Sequence, residues 1–242
     1  MHKLIRTILD IIFPPLCVGC KTTLKDTAEP VCTTCKNNIS LQDAFYCSEC
    51  HKRMPAISGR IKKCLCKNSF ILGSATFYTP GTTQELIKLL KYKGITSAAP
   101  VLGDLLAQFI ARSGISLKNF LVIPIPLAKQ RERERGYNQS ELIAKSFIKK
   151  VELPESVLLS SALTRQKNTK PQTEMASWQE RVKNVRGMFR VAQPENIKGK
   201  SIVLVDDVYT SGATSREAVA TLKAAGARRV VVLAVAKTRN PY

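Results

Sequence analysis

The chain has 242 residues, 44% of them hydrophobic, which is enough for a packed core and excludes a largely disordered protein. Lys and Arg number 38 against 18 Asp and Glu, a net charge of +20 that favours polyanionic partners: phosphates, nucleic acid or an acidic membrane face. A basic surface that serves solubility alone is the alternative.

Residues 1–16 are predicted to form a short amphipathic helix. Their apolar run is interrupted by Asp10 and is shorter than the ~18 residues of a transmembrane helix. Pro14 and Pro15 stand where an export signal would carry small residues at its cleavage site. We therefore expect a cytoplasmic protein without a transmembrane segment, whose first helix makes at most a weak membrane contact.

All eight cysteines lie between residues 17 and 66, in three Cys-x-x-Cys pairs and one Cys-x-Cys pair. Eight thiolates in such pairs predict two structural, tetrahedral Zn²⁺ sites, that is, a double zinc ribbon over residues 17–70. The predicted ligands are Cys17, Cys20, Cys32, Cys35, Cys47, Cys50, Cys64 and Cys66. Sequential pairing assigns the first four to one ion and the last four to the other, but an interleaved pairing stays open.

Three other interpretations of the cysteines compete with the zinc sites. A disulfide framework requires export, for which no signal is visible. The string from Cys47 to His51 matches a haem attachment site, but it too requires export and belongs to an evenly spaced cysteine series. An iron–sulfur cluster stays open because four thiolates serve either metal.

From residue 71 to residue 242 the pattern changes to alternating strands and helices. This predicts a second domain with an α/β parallel sheet, preceded by the small cysteine-rich module. Strands are expected at 71–78 and near 120, 157, 188, 202 and 230, and helices at 81–93, 101–111, 137–150 and 215–225.

A densely charged segment, residues 127–136, follows the strand near 120 and is expected to be a loop. Arginines at the carboxyl end of a sheet strand are placed to bind a diphosphate, and Arg131 and Arg135 are the candidates. The alternative is a solvated run in which Glu and Arg pair with each other.

The most informative stretch is 202–214. Four apolar residues predict a buried strand, Asp206 and Asp207 follow at its carboxyl end, and a turn of small residues leads into a helix. Such a turn offers backbone N–H groups to a phosphate, while the acids suit hydroxyl groups or Mg²⁺. A phosphate beside a vicinal diol is a ribose 5-phosphate. The alternative is a Walker B or receiver-type strand that ends in acids, but a Walker B strand needs a Walker A motif, and the sequence has none.

Residues 202–214 resemble the phosphoribosyl-pyrophosphate (PRPP) motif of type I phosphoribosyltransferases. The resemblance implies that Asp206 and Asp207 hold the ribose hydroxyls and that the small-residue turn holds the 5-phosphate of PRPP, with Mg²⁺ accompanying it. The implied phosphate residues are Thr210, Ser211, Gly212, Ala213 and Thr214.

Two further motifs and the cysteine module are similar to the ComF family of competence proteins. One is Pro124-Ile-Pro-Leu followed by Arg133-Glu-Arg-Gly-Tyr-Asn-Gln139; the other is the long segment 163–189, which is similar to the mobile loop of that family. The resemblance implies PRPP binding and a role in DNA uptake during natural transformation, beside other competence proteins at the inner face of the membrane.

An active glycosyltransferase of nucleotide salvage, with no DNA role, is the second hypothesis. In it Asp206, Asp207, Arg131 and Arg135 would be the catalytic residues. If single-stranded DNA is a partner, the basic loop 163–190 is its expected contact. The candidates there are Arg165, Lys167, Arg181, Lys183 and Trp178.

Overall fold

The structure, a computed structural model, describes residues 14–57, 59–62, 64–67, 69–166 and 187–239. The predicted N-terminal helix falls almost wholly on residues 1–13, outside this set. None of the helices in the described ranges combines the length and the apolar character that crossing a membrane requires.

Ten strands and six α-helices are described, and they are numbered here in chain order. The cysteine-rich region contains α1 (Thr33–Asn37), β1 (Phe45–Cys47), β2 (Arg53–Met54), β3 (Ala56–Ile57) and β4 (Arg60–Ile61). The rest contains β5 (Ile71–Phe77), α2 (Thr82–Tyr92), α3 (Ala98–Ser113), β6 (Phe120–Pro124), α4 (Lys129–Arg135), α5 (Gln139–Lys150), β7 (Leu163–Arg165), β8 (Phe189–Val191), β9 (Ser201–Tyr209), α6 (Ala213–Ala224) and β10 (Arg229–Lys237).

The main sheet has six strands in the order β2-β1-β5-β10-β9-β6. Strands β5, β10, β9 and β6 run parallel, so their carboxyl ends meet at one edge. The predicted α/β class with a mostly parallel sheet is confirmed.

Both faces of the sheet are covered, which explains the near-continuous apolar runs of its central strands. Val203 and Val205 of β9 point to a core shared with α2, α3 and α5. Ile202 and Leu204 point to the opposite core, which contains α6 and the β7–β8 hairpin. The alternation of side chains along one strand therefore supplies two cores.

The cysteine-rich region is joined to this sheet. Strand β1 pairs antiparallel with β5, and Cys47 lies opposite Ile71. Val18 and Val31 lie in the same apolar core as the helices α2 and α3. Lys36 of α1 also pairs with Asp104 of α3 at 3.3 Å. The boundary expected at residue 70 thus falls between two strands that are hydrogen-bonded to each other.

Two local predictions were wrong. The charged segment expected as a loop contains the helix α4. Its Lys, Gln, Arg and Glu residues are good helix formers, and the Gln130 side chain donates a hydrogen bond to Glu134 one turn later. The strand expected near 157 is a 3₁₀ turn, Glu155–Val157, that starts after Pro154; Leu158 makes a single bridge to Val122.

The strand expected near 188 exists as β8, but it does not belong to the parallel sheet. It pairs antiparallel with β7 in a separate hairpin, and the segment that connects these two strands contains residues 167–186, outside the described ranges. The hairpin packs on α6 through the core that contains Leu163, Met188 and Phe189.

Candidate functional site

Two adjacent carboxylates lie near the carboxyl end of β9, where the parallel strands converge. Asp207 is 3% exposed, and its Oδ2 has no hydrogen-bond partner among the described residues. The Oδ1 of Asp206 accepts hydrogen bonds from its neighbour's backbone N–H at 2.9 Å and from the Ser140 hydroxyl at 3.3 Å. A buried carboxylate oxygen without a partner is costly, so this site is built to receive a donor or a cation.

Lys91, near the end of α2, pairs with one of these acids: its Nζ lies 2.7 Å from Asp207 Oδ1. Burial lowers the pKa of Lys91, but the charge of Asp207 and its hydrogen bond outweigh burial, so the pKa is raised and the lysine stays charged. The sequence analysis missed Lys91, and the one signal was its position in a Lys-Tyr-Lys-Gly string that closes an amphipathic helix.

The environment of Asp206 disfavours the charged form of its carboxyl group. Burial, and then the charge of Asp207, raise the pKa of Asp206 to about 7 against the opposing effect of Lys91. Near neutral pH this carboxyl group therefore takes up and releases a proton easily. Ser140, which was also missed, belongs to the first turn of α5 and connects that helix to the acid.

The predicted phosphate turn follows the acids directly and leads into α6. Gly212 precedes the first residue of α6 with φ of +75°, and a Cβ on it would clash with the Tyr209 hydroxyl oxygen. This backbone conformation requires glycine. Ser211 and Ala213 are buried, while Thr210 and Thr214 are half-buried. The first turn of α6 thus presents N–H groups and a positive partial charge next to the two acids.

The arginine segment approaches the same edge. Helix α4 follows β6, whose last residue lies beside Val205 of β9. Arg131 and Arg135 are half-buried. The exposed residues of this helix include Lys129, Glu132, Arg133 and Glu134. Arg135 donates a hydrogen bond to Gln139, so it is held against the start of α5.

Arg165 at the end of β7 joins these arginines. Its pKa is lowered to about 10, first by burial and then by the nearby charge of Arg131. Two guanidinium groups that lie close enough to repel each other are suited to bind an anion. The other candidates in the long loop, Lys167, Trp178, Arg181 and Lys183, lie outside the described residues.

The cysteines form two groups of four in the sequential pairing, and within each group the ligand atoms lie within 4.8 Å of one another. The groups are Cys17, Cys20, Cys32 and Cys35, and then Cys47, Cys50, Cys64 and Cys66. The Sγ–Sγ distances are 3.8 Å for Cys20–Cys32 and 3.7 Å for Cys50–Cys64. A tetrahedron with Zn–S bonds of about 2.3 Å has edges of about 3.8 Å, so both groups fit a metal ion.

Within each group the thiols do not titrate alike. Burial opposes ionisation of Cys17, but backbone N–H groups, that of Cys32 foremost, lower its pKa to about 6. Burial, assisted by the neighbouring thiols, raises the pKa of Cys35 to about 12. A hydrogen bond from the Cys66 backbone lowers the pKa of Cys64 to about 7. The ionisation of one thiol therefore opposes that of its neighbours, and a bound cation would favour the thiolate form at all four positions.

Comparisons with known proteins agree with this geometry. The family described as phosphoribosyl transferase domain matches residues 103–241. Competence protein ComFC of Bacillus subtilis (strain 168) is 32% identical over 97 residues, 40% of this chain and 35% of that protein. Competence protein F of Haemophilus influenzae is 30% identical over 117 residues, 48% of this chain and 49% of that protein.

A longer match is the DNA utilization protein YhgH of Salmonella typhimurium (strain LT2), 30% identical over 171 residues, which are 69% of this chain and 72% of that protein. The match therefore spans less than half the length of each of the two competence proteins and most of the YhgH protein.

Proposed function

Because the chain belongs to the ComF family and carries a phosphoribosyl transferase domain, we propose that it binds PRPP at the carboxyl edge of its parallel sheet. The observation that carries the proposal is the acid pair, half-buried Asp206 and buried Asp207, followed three residues later by the turn 210–214 at the start of α6. Acids for a diol and N–H groups for a phosphate stand together there.

Different residues bind different parts of PRPP. Asp206 and Asp207 hold the ribose hydroxyls, and the turn 210–214 holds the 5-phosphate. Arg131, Arg135 and Arg165 hold the diphosphate, because they are the half-buried guanidinium groups of the helix and strand that approach this edge. Mg²⁺ enters with PRPP, and the unpartnered oxygen of Asp207 fits either a hydroxyl donor or this cation.

The cellular role that we propose is the handling of single-stranded DNA during uptake, in the cytoplasm and beside other competence proteins. Two relatives carry the name competence protein and a third the name DNA utilization protein. The net charge of +20 supports a polyanionic partner. The basic loop that contains Lys167, Trp178, Arg181 and Lys183 is one candidate contact.

The two cysteine groups hold structural Zn²⁺, in our proposal. Four thiolates fill each coordination sphere, so no position is left for a substrate. Each ion cross-links segments of the cysteine-rich region, which bury few large apolar side chains of their own.

The test is calorimetry of the metal-loaded full chain with PRPP and Mg²⁺. Asp206→Asn keeps the size of the side chain and leaves the Lys91–Asp207 pair in place. Loss of charge-assisted hydrogen bonds costs about 1.5–3 kcal/mol, so we expect the dissociation constant to rise about ten- to hundred-fold. Asp43→Asn, an exposed acid paired with Arg53, is the matched control and should bind like wild type.

Absence of PRPP binding by the wild type at millimolar concentration would overturn the assignment. Release of pyrophosphate with a nitrogen nucleophile, measured with and without DNA, separates a binding protein from a turning-over transferase in nucleotide salvage.

A further inference from the structure

A large cleft lies at the opposite end of the sheet from the acid pair. Its volume is about 1210 Å³, and its floor contains the first residues of four parallel strands: Ile71, Phe120, Ser201 and Arg229. One wall is the second cysteine group with Cys64 and Cys66, and the other is a face of α6. The PRPP proposal uses none of these residues.

The lining of this cleft is strongly basic. Six of the lining residues are cationic, and none of the described lining residues is acidic. The six are Lys67, Lys118, Arg216, Lys223, Arg228 and Arg229. Three of them, Lys67, Lys118 and Arg229, have no carboxylate partner within the described ranges. Cations gathered in a concave site raise the local potential for an anion far more than the same charges spread over a surface.

The other three cations are fixed in place. Arg216 pairs with Glu49, yet its buried Nε has no hydrogen-bond partner among the described residues. Lys223 donates to the carbonyl oxygens of Ala227 and Arg228, and Arg228 donates to the Ser201 hydroxyl at 3.1 Å. The hydrogen bond from Arg228 to a neutral hydroxyl positions its charge without neutralising it, which helps to preorganise the cleft for phosphate groups.

We propose that this cleft binds the phosphate backbone of single-stranded DNA, an inference that rests on the DNA-handling role proposed above. Several cations gathered in one concave site suit a flexible chain that carries one negative charge on each nucleotide. A duplex is stiff over such lengths, whereas a single strand bends into a concave site. The half-buried Phe120 and the fully exposed Leu65 are apolar partners for bases.

Recognition by this cleft is independent of base sequence. Phe45 and Phe70, the other aromatic residues of the lining, are buried and do not offer a stacking face. Affinity therefore comes mainly from phosphate contacts, each of which releases about 0.7 counterion from a single strand.

The experiment measures fluorescence anisotropy of a labelled oligonucleotide with the metal-loaded full chain over a salt series. Lys118→Glu with Arg229→Glu removes two contacts. We expect the affinity to fall at least about 25-fold at 0.1 M salt and the slope of log K against log salt to shrink by about 1.4. Lys149→Glu with Lys150→Glu is the matched control, since these exposed lysines end α5, do not line the cleft and carry the same charge change.

A cleft variant that binds DNA no worse than the control variant overturns the proposal. Arg181→Glu with Lys183→Glu then shows whether the long loop is the contact instead. Unchanged PRPP binding and metal content establish that the cleft variant is folded; if it is not, Lys118→Gln alone should still weaken binding about fivefold.

If the wild-type protein binds PRPP but no DNA, both the DNA-binding cleft and the DNA-handling role are refuted, while the proposed PRPP site still stands. A duplex of the same length that binds as tightly as the single strand overturns the preference for single strands.

Discussion

Replacing Lys91 by methionine tests the electrostatic design of the acid pair. Methionine keeps most of the apolar length of the side chain but removes the ammonium group that lies 2.7 Å from Asp207. Asp207 would then be a buried carboxylate without a cation, next to the carboxyl group of Asp206. Removal of one partner of a buried ion pair costs about 3–5 kcal/mol.

The Lys91 side chain is 21% exposed, which places the expected loss at the lower end, about 3 kcal/mol in the free energy of unfolding. The double variant Lys91→Met with Asp207→Asn removes both charges. It should recover most of the loss, because the cost comes from the unpaired carboxylate rather than from the missing ion pair.

Urea unfolding at pH 7, followed by circular dichroism without PRPP and with metal bound, measures both variants. Lys88→Met is the control on the same helix: Lys88 pairs with Glu85 at 2.8 Å, but both side chains are exposed, so the loss should stay below about 1 kcal/mol. If Lys91→Met is no more destabilising than Lys88→Met, or if the double variant is as unstable as the single one, the reasoning is refuted.

Three further predictions concern the metal centres, the pH and the phosphate turn. Cys17→Ser and Cys47→Ser should each lower the metal content from two ions to one, and Cys47→Ser should lower the melting temperature more because Cys47 belongs to the main sheet; equal melting temperatures would contradict this. Since the pKa of Asp206 is raised to about 7 in the folded state, the folded protein takes up that proton first, and the free energy of unfolding should rise as the pH falls from about 7 to about 4. Asp206→Asn should flatten that dependence, and an unchanged pH profile would argue against it. Gly212→Ala should lower the free energy of unfolding by about 1–2 kcal/mol because of the positive φ. The variant should also bind PRPP more weakly in calorimetry, because the turn must move away from the Tyr209 hydroxyl. A variant that binds PRPP as tightly as the wild type would show that the turn does not hold phosphate.

The parts of the fold that sequence reasoning predicted are those in which neighbouring residues carry the signal. The apolar run before Asp206 predicted a buried strand, and the small residues after it predicted the turn at Gly212. The cysteine spacing likewise predicted two groups of four, which the structure forms.

The parts that it missed depend on contacts between distant segments. Lys91 reaches Asp207 across 116 positions, and no periodicity within α2 distinguishes it from the exposed Lys88. The pattern of apolar residues does not predict helix α4, because the helix has no apolar stripe, although its residues favour a helix. The pairing of β1 with β5 was invisible because three residues are too few for an alternation pattern.

The antiparallel strand β1 also decides which surfaces of the sheet are open to other molecules. Without it, β5 would be an edge strand, with six of its seven residues buried and a free row of N–H and C=O groups. The other edge, β6, ends in Pro124, which lacks an N–H, and receives a hydrogen bond at Val122 from Leu159. The hairpin of β1 and β2, which carries Cys47 and Cys50, thus protects this edge of the sheet, and a chain in which that hairpin unfolds would expose β5 as a template for strand addition.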